Sequence, residues 1–231
     1  MRRLWLYSTL TLAMAGMAVV PAHAQQAINV YFGGFVPQKE DARVEDDVLL
    51  GNQDFLAFDL DELNGATIGA EWLFPLGDRF DGGVGVGFHS RTVPSSYTDY
   101  VNDNGAEIEQ DLKLRVVPFT ATIRFLPLGR SASVQPYIGA GVGIFSWRYS
   151  EAGEFVDFGD GSIFNDRFVS SGATAGPLIL GGVNIPFGRY GVGGEVRWQN
   201  AEGELDADEG FAGSKIDLGG VNYLVTFRVN F

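Results

Sequence analysis

Seven charged residues sit at alternate positions among apolar ones. Glu71 lies in ATIGAEWLF, Lys113, Arg115 and Arg124 in DLKLRVVPFTATIRF, Glu195 and Arg197 in GVGGEVRW, and Arg228 in YLVTFRVNF. A spacing of two places such residues on one face of a strand. Facing one another across a narrow enclosure, carboxylates and guanidiniums have two uses. They gate a path for ions, or they neutralise each other in a plug. Both signs are present, and an unpaired buried charge is costly, so pairing is the expected outcome.

Other motifs point to less. His89 lies in FHSR, Phe88–Arg91, beside Ser90. A histidine base and a serine nucleophile need hydrogen-bond contact, but neighbours on a strand point to opposite faces. Nothing marks a second serine, so the expectation is no enzyme and no catalytic residue. DFGDGSIFND at Asp157–Asp166 has acidic oxygens like a calcium loop, but its spacing misses D-x-[DN]-x-[DN]-G. GVGVG, GAGVG and GVGGE lack the G-x-x-x-x-G-K-[ST] of a phosphate loop, and no helix follows. The chain of 231 residues has no Cys, so thiol catalysis and cysteine zinc sites are excluded. Its formal net charge of −13 argues against nucleic acid, which requires clustered Lys and Arg. No metal and no cofactor are expected.

The elements that carry these residues are strands. In VQPYIGAGVGI, Val134, Pro136, Ile138, Ala140, Val142 and Ile144 share one face, and Gln135, Tyr137 and three glycines share the other. GGVGVGF and YGVGGEVRW read the same way. One face is apolar, and the other carries glycine and isolated charges. That suits a wall with lipid on one side and a narrow polar lumen on the other. Eight strands are expected, near 27–36, 65–74, 81–91, 109–126, 134–149, 170–186, 191–200 and 216–231.

Three phrases punctuate them: FPLGDR, LPLGRS and IPFGRY. Proline suits the end of strand pairing, and glycine supplies the positive φ of a reversal. Pro75 and Gly77, Pro127 and Gly129, and Pro186 and Gly188 therefore mark three tight turns. The other gaps are long and acidic, at 37–64, 92–108, 150–169 and 201–215. Their carboxylates serve as a solvated surface or as an attractor for cations. β-Bulges are expected at Val116–Pro118 and at Gly176-Pro177, where the apolar face changes phase. Interfacial aromatic girdles are expected from Trp72, Phe74, Phe125, Phe187 and Phe231 on the short-turn side. Phe145, Trp147, Tyr149 and Trp198 are expected to form the other girdle.

Residues 1–24 read as a cleaved secretory signal peptide. Arg2 and Arg3 precede an apolar run, and Ala22-His23-Ala24 supplies the small-x-small site. Residues 25–231 form the barrel domain.

The segments VQPYIGAGVGI, YGVGGEVRW and the terminal YLVTFRVNF resemble the bacterial eight-stranded outer-membrane barrels: the OmpA transmembrane domain, OmpW and the opacity-type porin-like proteins. The resemblance implies an all-β, eight-stranded antiparallel transmembrane up-and-down β-barrel. It implies a Gram-negative outer membrane, with both termini periplasmic and the acidic loops outside. Tyr223, Val225, Phe227, Val229 and Phe231 would form the insertion signal read by the barrel-assembly machinery. The expected partners are outer-membrane lipids and that machinery, and the expected state is a monomer. The implied role is structural, surface-interacting or permeability-related, around a salt-bridged lumen. The rivals are an OmpW-like narrow channel for small solutes and a lipid-modifying enzyme.

Overall fold

In a computed structural model, residues 26–206 and 210–231 are described. The signal-peptide segment therefore lies outside the described residues. Eight long strands form: β1 (Ala27–Pro37), β2 (Gly65–Pro75), β3 (Phe80–Val101), β4 (Glu107–Phe125), β5 (Gln135–Val156), β6 (Ile163–Phe187), β7 (Tyr190–Gln199) and β8 (Gly220–Asn230). Each pairs antiparallel with its neighbours in sequence. β1 closes on β8, from Ala27 against Asn230 to Pro37 against Gly220. This is a closed up-and-down barrel.

The strands differ in length, and the difference shapes the molecule. β1, β2, β7 and β8 have 11, 11, 10 and 11 residues. That is about what a tilted strand needs to cross a bilayer, roughly 9–11 residues. β3, β4, β5 and β6 have 22, 19, 22 and 25. Their surplus rises beyond one side as a four-stranded extension of the wall. Two of the long gaps are consequently not loops. β3 and β4 run through most of 92–108, and β5 and β6 through most of 150–169, which leaves short connections at 102–106 and 157–162.

The hydrophobic pattern inverts where these strands leave the belt. In β4, Phe119 and Ile123 face outward and are exposed, while Thr120, Thr122 and Arg124 face inward and are buried. Further up, the buried set is Ile108, Leu112, Leu114 and Val116, and the exposed set is Glu109, Asp111, Lys113 and Arg115. Even-numbered residues face inward throughout, so no residue has been inserted. Against lipid the apolar side chains point out; above it they point in, as in a soluble protein.

This corrects the expected bulges. Pairing runs in constant register through Val116–Pro118 and through Gly176-Pro177. The described register shift lies instead between β3 and β4, from Ser96 to Val101. It also corrects one girdle, because Phe145, Trp147 and Tyr149 point into the head rather than toward lipid.

The inward apolar residues form a core with the first acidic gap, which folds. A 3-10 turn (Glu40–Ala42), helix α1 (Val48–Gln53), a two-residue strand (Leu56–Ala57) and a second 3-10 turn (Leu60–Leu63) cross the barrel mouth. Asp47 caps α1 by accepting from the Leu49 amide at 2.9 Å. Val48, Leu49, Leu60 and Leu63 pack with Val93, Leu114, Phe145 and Trp147, joined by Ile216 and Leu218 from the last gap. There a short hairpin pairs Glu202–Glu204 with Lys215–Asp217.

On the opposite side, Gly77, Gly129 and Gly188 have φ of +90°, +74° and +64°, the left-handed region each reversal uses. Pro75 ends β2, Pro127 lies just beyond β4, and Pro186 sits one residue before the end of β6. The middle connection is longer than a tight turn, because β4 ends at Phe125 and β5 begins at Gln135. Arg130 braces it by donating to Gly77 O at 3.0 Å and pairing with Asp81.

Candidate functional site

Four of the seven candidate charges meet at mid-lumen. β2 contributes Glu71, β4 Arg124, and β7 both Glu195 and Arg197. Arg124 pairs with Glu71 and lies 3.0 Å from Glu195. Arg197 donates to Glu195 Oε1 from NH2 at 2.6 Å and from Nε at 3.0 Å, and lies 3.8 Å from Glu71. Each carboxylate thus serves both guanidiniums. Tyr137 donates to Glu195 at 2.9 Å, and Thr122 to Glu71 at 2.9 Å. Arg124 stacks 4.8 Å over the Tyr137 ring and Arg197 5.1 Å over Tyr31. All four charged side chains are buried. Glycine makes room for them. A Cβ on Gly83 would come within 2.6 Å of both Glu71 and Thr122.

Arg228, the fifth charge, is buried nearer the short turns. Lys113 and Arg115 are not in the lumen. They are exposed on the outer wall, because they flank the inward Leu112, Leu114 and Val116 above the inversion.

Above the charge network lies the apolar core of the head. The two layers are stacked within the barrel, the charge network below and the apolar core above. Arg43 and Asp47 lock the upper layer from within. Arg43 donates to Asp47 at 3.1 and 2.9 Å and to Asp217 O at 3.1 Å. Asp47 also accepts from the Asp217 amide at 2.6 Å. The acidic gap at 37–64 is not solvated throughout, because the Arg43–Asp47 ion pair within it is fully buried. Burial pushes the Asp217 carboxyl up from its ordinary value, against the pull of Gly219 N–H and Arg43. Hydrogen bonds from Ser214 hold the exposed Asp46 carboxyl down.

His89 faces inward and is buried, with Nδ1 3.1 Å from Ala66 O and its ring edge-on to Phe35 at 4.9 Å. Ser90 faces the other side of the wall. Among the described residues no three acidic or histidine side chains converge as a metal set.

Sequence reasoning missed a slot in the wall. β7 pairs with β6 only from Leu178 to Phe187, so the upper half of β6 has no partner strand there. A cleft of about 640 Å³ opens along that edge, lined by Gly172, Thr174, Ala175, Asn200 and Gly203, with Trp147 at its back. The signal was present in the pattern: β7 ends at Gln199, opposite Leu178, whereas β6 begins as early as Ile163.

No protein-family model matches the chain, and no curated protein matches it in sequence. Solved structures match it in shape. The outer membrane protein OprG from Pseudomonas aeruginosa superposes with a TM-score of 0.54 at 12% identity, over 90% of this chain and 96% of that one. The chain has the fold of the eight-stranded outer-membrane β-barrels. Neisserial surface protein A matches with a TM-score of 0.47 at 14% identity, over 90% of this chain and 97% of that one. The outer membrane protease OmpT from Escherichia coli matches at 0.45 and 11% identity, over 93% and 99%. For an outer-membrane barrel fold, the exposed residues Phe32, Ile68, Val86, Ile138, Val142, Ile179, Val196 and Val225 are the lipid-facing belt.

Proposed function

We propose that this chain is a monomeric outer-membrane barrel closed to ion flow, whose role is structural and surface-directed rather than catalytic. Its termini face the periplasm and its head faces outward. The observation that carries this reading is the stacking of a buried four-charge network beneath an apolar core that includes Val48 and Leu49 of α1. Tyr223, Val225, Phe227 and Phe231 are exposed along β8 and at its end. With Val229 they would serve as the signal for the barrel-assembly machinery. The enclosure of His89 favours a packing role over a general base. In planar bilayers the purified protein should give no steady openings. Reproducible conductance steps that change with Arg197→Gln would refute the closed reading.

A second reading rests on the wall slot. A cleft that opens beside the lipid-facing belt and ends at Trp147 suits lateral entry of a small amphipathic solute. With Trp72 and Trp198 changed to Phe, a brominated alkanol should quench Trp147 saturably. Ala175→Phe should abolish that saturation, and quenching that stays linear in quencher would dismiss this reading.

A further inference from the structure

The outer wall carries a second charge cluster, and among the described residues no ion pair neutralises it. Lys113 and Arg115 project outward from β4, Arg148 from β5 and Arg167 from β6. With Phe88, Ser90 and Ser150 they line a groove of about 410 Å³. Arg115 and Arg148 are direct cross-strand partners, and Lys113 stands opposite Ser150 one row further up. Like charges directly opposite on a sheet repel and destabilise it. Among the described residues every ion pair uses other cations, so these four form none. Asp111 is the next outward residue along β4, and no ion pair joins it to the four. Glu151, close by in sequence, faces inward and is bonded to Asn52 and Tyr149. Four unpaired cations in one groove stand out in a chain of net charge −13.

The height of the groove identifies its occupant. Phe88 forms its lower lip and is exposed as part of the lipid-facing belt. The next outward row below is Val86, Phe119 and Ile144, all exposed and apolar. The groove therefore stands where acyl chains end and headgroups begin. Arginine forks match phosphate oxygens bidentately, and the volume falls within the range of small-ligand pockets, about 300–1,000 Å³. A soluble anion would use the cations and leave Phe88 without a role. A lipid uses both.

We propose that this groove binds the phosphorylated headgroup of a glycolipid in the leaflet on the head side, with its acyl chains against Phe88 and Phe119. The bound phosphate replaces the Arg115–Arg148 repulsion with two charge-assisted pairings. The proposal requires that the chain sit in a bilayer, and is independent of whether the lumen conducts.

The test uses the folded barrel in a neutral detergent, with bisphosphorylated lipid A, its dephosphorylated form and inorganic phosphate as probes, read by native mass spectrometry. The wild type should retain bisphosphorylated lipid A at concentrations lower by roughly tenfold or more than an Arg115→Gln/Arg148→Gln variant, since two charge-assisted bonds are lost. It should retain the dephosphorylated form no better than the variant does. Retention of bisphosphorylated lipid A by the variant as tight as by the wild type, or retention of the dephosphorylated form by the wild type as tight as that of the bisphosphorylated form, would overturn the proposal. Saturation by inorganic phosphate at the same concentrations would make it a free-anion site and overturn the lipid assignment. Melting separates ligand binding from a structural role. Without lipid the variant should melt no lower than wild type, because a repulsion has been removed; a lower melting point would overturn the proposal. A gel shift between unboiled and boiled samples shows that both proteins are folded, so failure to fold is not read as failure to bind.

Discussion

Replacing Glu195 with Gln removes one negative charge from the centre of the lumen while keeping its shape. In the wild type, Glu195 lies within 3.0 Å of Arg124 and 2.6 Å of Arg197, and also accepts from Tyr137. The amide oxygen can still accept one or two hydrogen bonds, but Glu71 is left alone to face both Arg124 and Arg197. Breaking a buried ion pair by removing one partner costs about 3–5 kcal/mol, because the other charge stays buried without compensation. Two arginines share this loss, so the upper part of that range is expected. Glu195→Gln/Arg197→Gln restores one carboxylate to one guanidinium. It should be less damaging than the sum of its single variants by about 1–3 kcal/mol, the size of coupling typical of groups in contact. The assay is equilibrium urea unfolding in lipid vesicles, followed by tryptophan emission and by the gel shift on boiling. A Glu195→Gln cost below about 1 kcal/mol would refute the view that the network is dry and mutually dependent. Strict additivity in the double variant would refute it equally.

Three further predictions follow from the head and the wall. Asp47→Ala leaves Arg43 buried without its partner and removes the cap of α1, which should cost about 3–5 kcal/mol locally; hydrogen exchange at 48–53 should rise sharply while the membrane strands stay protected. Gly141→Ala places a Cβ 2.1 Å from the Ala121 carbonyl oxygen, so β4 and β5 must move apart; the variant should fold slowly or lose its gel shift, and wild-type refolding yield would contradict the packing described. The buried Asp217 carboxyl sits above its ordinary value of 3.8. Its protonated form is therefore favoured by folding. That contribution is complete below 3.8 and is lost as pH rises through the higher folded value. From this group alone, the head should resist urea better at mildly acidic pH than at neutral pH, monitored by Trp147 emission with Trp72 and Trp198 changed to Phe.

The membrane part was legible because lipid imposes one rule. Ile138, Val142 and Ile144 alternate with glycine over a stretch that a tilted strand needs, and β8 repeats the rule to the last residue. The head was hidden by the same rule. Reading every apolar face as lipid-facing sent Trp147 and Tyr149 outward and Lys113 and Arg115 inward. Leu112 and Leu114 are as apolar as Ile123, and only what surrounds them differs. The clue was the density of charge on the partner face: glycine, threonine and an isolated charge alternate with the apolar set inside the membrane, whereas above it Glu109, Asp111, Lys113 and Arg115 follow one another at every second position. The first gap was misread for another reason. Its acid count masks Val48-Leu49-Leu50, and a helix of six residues is too short to show a period. The Arg43–Asp47 spacing was the one local signal of order.

The inversion along β4 and β5 also acts as a depth gauge. From Val134, the residue before β5, the outward apolar residues extend ten residue steps to Ile144, before Ser146 and Arg148 begin. At about 3.3 Å per residue and a tilt of roughly 40°, that is close to 25 Å of vertical travel. A shift of two residues toward the head side would lift Ile144 and Phe119 into water, and the opposite shift would draw Arg115 and Arg148 into hydrocarbon. The barrel is thus matched to one hydrophobic thickness, and in a thicker bilayer it must thin the lipid around β3–β6 rather than slide.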